Sequence, residues 1–246
     1  MEFVVKNTTK WRLIDLVAPH SCRGCGHTGA VLCERCKIYN KEQREAICPL
    51  CRMVVAQSYE NGGKLVKCPN CEMELLGLWA VGWRRGVLKK LVSEFKYESV
   101  RAIGEVLAEM LNEAIPDLAK ILPEGAEVVV VPLPTIGKHV RRRGLDHTLI
   151  LARKLAKKRG WKCEQILTRV VDTVQVGAKV KERREQAERA YKVSRGVDSR
   201  KYYLLLDDVW TTGASMKAAE RVIREAGATK VMGAVIGVGI DKNDKV

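Results

Sequence analysis

The chain has 246 residues, 46% of them hydrophobic, which is enough for one large domain and one small one and leaves disorder without support. Its formal charge of +15 is concentrated between Lys138 and Lys201, where 20 Lys and Arg face 7 Asp and Glu; such an excess suits a polyanion, either nucleic acid or a multiply phosphorylated metabolite. No apolar run approaches the roughly 18 residues of a membrane span, and the start Met1-Glu-Phe-Val-Val-Lys6 lacks a secretory pattern, so a cytoplasmic protein without a membrane span is expected.

Residues 1–77 read as a cysteine-rich module. Eight of the nine cysteines form four C-x-x-C pairs: Cys22/Cys25, Cys33/Cys36, Cys48/Cys51 and Cys68/Cys71. A two-residue gap lets both thiolates face one ion from a tight knuckle, so these pairs read as zinc ligands rather than disulfides. Two structural Zn²⁺ ions are expected, with sequential and interleaved pairing both open. His20 and His27 flank the first pair and are candidates to replace a cysteine. A module this poor in apolar residues draws its stability from the metal.

Residues 78–118 read as a linking helical region. From 83 to 115, Leu88, Leu91, Val92, Phe95, Val100, Ile103, Leu107 and Leu111 recur at helical spacing, with a break at Glu98-Ser99 and a stop at Pro116. Residues 119–246 then alternate strands and helices. Val128 to Val131 is an apolar run stopped by Pro132, as in a strand buried on both faces. Leu145 to Lys158 is a basic helix ended by Gly160, and 163–168 is a short strand in which Cys163 is expected to be buried. Tyr202 to Leu206 is a second buried strand, Ser215 to Ala226 a helix ended by Gly227, and Lys230 to Ile236 a third strand. The expected fold class is α/β, a mainly parallel sheet flanked by helices, with a small N-terminal zinc-binding domain.

The segment Tyr202 to Ser215 carries the most chemistry. An apolar strand delivers Asp207 and Asp208 to its C-terminal end, where ligands bind in open α/β sheets. The carboxylates suit sugar hydroxyls or a hydrated Mg²⁺. Thr211, Thr212, Gly213, Ala214 and Ser215 follow, small and hydroxyl-rich, leading into a helix whose N-terminus can wrap a phosphate. An acid pair plus a phosphate cradle describes a sugar phosphate. The chain contains no G-x-x-x-x-G-K-[ST], which argues against a P-loop NTPase.

This segment resembles the phosphoribosyl diphosphate (PRPP) signature of type I phosphoribosyltransferases. More of the chain resembles one branch of them, the ComF family of competence-associated proteins. The matching features are Phe95-Lys-Tyr97, Val131-Pro-Leu-Pro134, Arg141-x-Arg143-Gly-Leu145, Thr173-x-x-Gln175, Arg183 followed by Ala190-Tyr191, and the paired cysteines. Asp146-His147 departs from the Asn-Gln of that pattern, and Leu145 replaces an aromatic residue. The resemblance implies the type I phosphoribosyltransferase fold. It implies that Asp207 and Asp208 hold the ribose 2′- and 3′-hydroxyls and that Thr211 to Ser215 enclose the 5-phosphate.

By the same resemblance Pro134 and Thr135 open a diphosphate loop, Arg141 and Arg143 lie close after it, and 171–189 is a mobile catalytic loop. Mg²⁺ would accompany PRPP. Any hood over the site would come from the N-terminal region. The expected function is a PRPP-binding, phosphoribosyltransferase-like protein with a role in competence and DNA uptake, working with DNA-uptake proteins; transfer itself stays open. The alternatives are a competence factor that grips single-stranded DNA, and a PRPP-responsive regulator without turnover. Low aromatic content (5%) disfavours base stacking, with Trp79, Trp83, Trp161 and Trp210 as the candidates.

Overall fold

The computed structural model describes residues 20–42, 75–97, 101–135, 145–170 and 190–239. The chain divides into two compact units, Met1–Gln43 and Arg44–Val246. In the first, an antiparallel bridge between Ser21 and Thr28 closes a tight knuckle, and helix α1 (Glu34–Glu42) follows. Glu34 in the first turn complements the helix dipole and pairs with Lys37 at 2.5 Å.

The second unit is built on a five-stranded parallel sheet. In chain order its elements are β1 (Leu78–Trp83), α2 (Gly86–Tyr97), α3 (Arg101–Ala114), β2 (Val128–Pro132), α4 (His147–Arg159), β3 (Lys162–Cys163), β4 (Leu167–Arg169), β5 (Tyr191–Val193), β6 (Tyr202–Trp210), α5 (Ala214–Glu225) and β7 (Lys230–Val238). The sheet order is β1-β7-β6-β2-β3, every pairing parallel, and β4 and β5 form a separate antiparallel pair. This is the mainly parallel sheet with flanking helices that the alternating pattern predicts.

Successive side chains on a strand point to opposite faces. Val129, Val131, Tyr203, Leu205, Val231 and Val235 share one core with Met216, Ala219 and Ile223 of α5 and with Leu167 and Tyr191 of the small ribbon. Their neighbours Val130, Leu204, Met232 and Ala234 are equally buried and face the opposite layer, where α3 and α4 pack on the sheet. Burial on both sides explains the uninterrupted apolar runs.

Local chemistry sets the helix ends. Asp146 caps α4 by accepting from the Leu149 N–H at 3.1 Å, and Gly160, at φ 67°, ends it. Arg159 in its last turn reaches the end of α3, donating to the carbonyls of Asn112, Ile115 and Pro116 at 2.6, 2.5 and 3.0 Å. Those carbonyls have no partner within α3, whose path stops before Pro116 as expected. Ion pairs of Lys154 with Glu105 and of Lys158 with Glu109 join the same two helices.

Three details differ from the sequence expectation. The helix expected from 83 begins at Gly86, and 78–83 is instead an edge strand on β7, with Trp79 and Val81 buried. Tyr191–Val193, for which the sequence pattern predicts no element, is a strand that pairs with β4. Cys163 is half-buried rather than buried, because the two-residue β3 is the sheet's other edge.

Candidate functional site

Strand β6 continues past its apolar run to Trp210, carrying Asp207 and Asp208 out to the C-terminal rim, where both side chains keep partial solvent contact. The pleat sends the two acids into different surroundings. Asp207 has the parity of Tyr203 and Leu205 and faces the α5 layer. Asp208 faces the opposite layer, where Lys96 of α2 meets it with Nζ 2.6 Å from Oδ2. The Asp208 N–H donates to Asp207 Oδ1 at 2.8 Å. Burial, then the Asp208 charge, push the Asp207 pKa up to about 7, against the pull of Lys96 and Arg169.

After Trp210 the chain turns through Thr211 to Gly213 into α5. Gly213 adopts φ 76°, and a Cβ there would lie 2.2 Å from the Trp210 ring. Only glycine satisfies both the left-handed backbone and the close approach. Gly213 is also the N-cap of α5 and brings no side-chain acceptor of its own, at a helix N-terminus whose dipole favours an anion. The Thr212 hydroxyl accepts from the Ala214 N–H at 3.4 Å. Thr211 and Thr212 are exposed, and Ala214 and Ser215 are half-buried. A small solvent-open pocket is lined by Asp207, Val209, Trp210, the Thr211–Ser215 turn, Met216 and Val235. The turn is therefore accessible, and the acids are not enclosed in the apolar interior.

Pro134 and Thr135 follow β2, the strand adjacent to β6, with the Leu133 N–H bonded to the Leu206 carbonyl at 2.9 Å. The Thr135 hydroxyl donates to the Asp146 cap at 3.2 Å, which ties the start of this loop to the start of α4. Next to that cap His147 is buried with its ring edge-on to Phe95, centroids 5.1 Å apart. Arg141, Arg143 and the stretch 171–189 lie outside the described residues.

Two groups at this site were not assigned a site role from the sequence, although Lys96 lies in the Phe95-Lys-Tyr97 motif and Tyr191 in Ala190-Tyr191. One is Lys96, 112 positions from its partner. The other is the pair Arg169 and Tyr191, opposite each other in the β4–β5 register. The Arg169 guanidinium donates to the Tyr191 hydroxyl at 3.1 Å and lies 5.4 Å from the ring centroid. Burial raises the Tyr191 pKa, while the Arg169 charge and hydrogen bonds with Ser215 and Arg169 pull it back. The proposed stacking residues fare differently. Trp79, Trp83 and Trp210 are buried in the fold, and Trp161 packs under Arg159.

In the small unit Cys22, Cys25, Cys33 and Cys36 converge, their sulfurs all within 4.8 Å of one another. Cys22 and Cys25 each lie 3.7 Å from Cys33, sulfur to sulfur. A tetrahedron with metal–sulfur bonds of about 2.3 Å has edges of about 3.8 Å, so the set fits one Zn²⁺. N–H groups of Gly24 and Cys33 point at the Cys22 sulfur at 3.4 Å each, which favours its thiolate. A Cβ on Gly24 would lie 2.6 Å from the Cys36 sulfur. The first two pairs thus associate sequentially. No histidine joins them among the described residues, where His27 contributes its carbonyl to the Cys22 N–H at 2.7 Å. Cys48, Cys51, Cys68 and Cys71 lie outside the described residues.

No family model matches the chain, and no curated protein does. Among solved structures the chain is similar to an allosteric regulatory enzyme of purine biosynthesis, with 19% identity over 58% of this chain and a TM-score of 0.38. It is similar to the glutamine PRPP amidotransferase of B. subtilis complexed with ADP and GMP, with 20% identity, 58% coverage and a TM-score of 0.38. The chain spans 30% of the length of each of those two proteins. The adenine phosphoribosyltransferase of Trypanosoma brucei, complexed with AMP, pyrophosphate and ribose-5-phosphate, shares 15% identity over 65% of this chain and 84% of its own, again at 0.38. At such identities and scores the weight rests on the site's own residues.

Proposed function

We propose that this chain binds PRPP at the rim of its parallel sheet, in the manner of a ComF-type, phosphoribosyltransferase-like protein. The observation that carries the reading is the junction of β6 and α5: two carboxylates at a strand end, then a glycine-dependent turn at a helix N-terminus that lines a solvent-accessible pocket. In this reading Asp207 and Asp208 accept from the ribose 2′- and 3′-hydroxyls, and the turn from Thr211 to Ser215 takes the 5-phosphate. Pro134, Thr135 and the Arg141 to Arg143 segment serve the diphosphate. The chemistry that a bound Mg²⁺ would supply is neutralisation of diphosphate charge, and the partly exposed acid pair is of the donor type such an ion takes.

Transfer of the ribosyl group to an acceptor is the enzymatic extension of this reading, and a role in competence and DNA uptake is its cellular one, supported by the ComF-like sequence pattern. The cysteine module is assigned structural zinc, with one ion on Cys22, Cys25, Cys33 and Cys36 and a second on the remaining two pairs. The basic stretch from Lys138 to Lys201 would serve a phosphate backbone as readily as a small anion. Burial of three of the four candidate tryptophans leaves a single-strand grip only Trp161 among those candidates as a stacking platform.

Calorimetry with PRPP and Mg²⁺ tests the proposal. The wild type is expected to bind, and the double variant Asp207→Asn/Asp208→Asn to lose affinity about tenfold or more, since hydrogen bonds to charged groups contribute roughly 1.5–3 kcal/mol each. A wild type that gives no binding heat overturns the reading. Diphosphate release that depends on an added acceptor would establish transfer.

A further inference from the structure

The turn from Thr211 to Ser215 contains no charged residue, yet a terminal phosphate carries close to two negative charges. A helix N-terminus supplies only about half an elementary charge, so a site selective for such a group gains from a cation nearby. The Arg169–Tyr191 pair is placed to provide one. Tyr191 is buried in the core beneath α5. Its hydroxyl accepts from the Arg169 guanidinium at 3.1 Å, and β5, which carries it, packs against α5, the helix that begins at the turn. The tyrosine therefore ties the guanidinium to the helix that carries the phosphate cradle. Arg169 also acts electrostatically on Asp207, on the pocket's wall. The backbone fixes this arrangement, because Arg169 and Tyr191 are directly opposed in the β4–β5 ribbon and the ring lies under the guanidinium at 5.4 Å.

We propose that Arg169, held by the Tyr191 hydroxyl, is a ligand for the phosphate group cradled by the Thr211–Ser215 turn, and that it restricts the site to sugars carrying a terminal phosphate. This rests on the sugar-phosphate reading above. The guanidinium suits the role because its planar fork can donate two parallel hydrogen bonds to phosphate oxygens while a third N–H stays on the tyrosine. Tyr191 is a positioning residue: its hydroxyl removes rotamer freedom from Arg169.

The test is titration of the full chain with two probes, ribose 5-phosphate and inorganic phosphate, each followed by calorimetry or by competition. Arg169→Gln is expected to weaken both probes by the same factor, about tenfold or more. Arg169→Met, which keeps the aliphatic stem, should do likewise. Arg169→Lys should lose less, since it keeps the charge and gives up the fork. Tyr191→Phe should lose part of the affinity for both probes without a change in far-UV circular dichroism. Asp208→Asn, on the opposite face, should weaken ribose 5-phosphate and leave inorganic phosphate unchanged. Folded Arg169→Gln or Arg169→Met protein that binds both probes as the wild type does overturns the assignment and leaves the sugar-phosphate reading standing. A wild type that binds neither probe overturns both.

Discussion

At Asp207, burial and the adjacent Asp208 charge raise the pKa to about 7, against roughly 4 for an aspartate in an unfolded chain. Between those values the folded protein holds a proton that the unfolded chain has released. The associated stabilisation is complete below about pH 4 and is lost as pH rises through about 7. Asp207→Asn mimics the protonated form at every pH. Its melting temperature relative to wild type is therefore expected to be more favourable at pH 8 than at pH 5, and a difference independent of pH would refute the burial argument. The acid pair itself was legible in the sequence, as an Asp-Asp step at the end of an apolar run. The residues that distinguish its members were not. Lys96 and Arg169 reach the pair through tertiary packing; Lys96 stands in the Phe95-Lys-Tyr97 motif, but nothing in the spacing ties it or Arg169 to the two acids.

The strand-turn-helix element depends on one glycine. Gly213→Ala forces a Cβ into a left-handed conformation, which costs roughly 1–2 kcal/mol, and into the Trp210 ring, from which the ideal atom would be 2.2 Å away. Loss of both stability and PRPP affinity is expected, read by thermal melting and calorimetry on one preparation. Wild-type behaviour in both would mean that the turn is not built as described. The long strands β2, β6 and β7 were readable because burial on both faces writes continuous apolar runs. Strand β1 was not: Gly77 and Gly82 dilute its pattern, and Arg84-Arg85 separates it only briefly from the helix that follows. The single strand expected over 163–168 is split into β3 and β4, and β5 was not read; at two or three residues each they are shorter than any period can resolve, and β4 and β5 turn Leu167 and Tyr191 into the core.

For the whole molecule, the division into Met1–Gln43 and Arg44–Val246 separates two sources of stability. Among its described residues the first unit has few buried apolar side chains, Val31 and Leu32 among them, and gathers four thiols around one point. The second has an extensive apolar core. A strong chelator added to the intact protein is expected to release zinc and abolish the low-temperature part of the melting profile. The main transition of the sheet should remain within a few degrees. Cys33→Ser should lower bound zinc by about one equivalent, measured by elemental analysis. A single transition that collapses with chelation would show the sheet to depend on the metal as well.

The alternation of β6 has a further consequence for specificity. Because Asp207 and Asp208 leave the backbone on opposite sides, their separation is inherited from strand geometry and not from any side-chain arrangement. Changes among Arg169, Tyr191 and Ser215 can retune one half of ligand recognition, and changes at Lys96 the other, while the spacing between the halves stays constant. Such a rim can be altered one layer at a time, as a lock whose two rows of pins are cut separately.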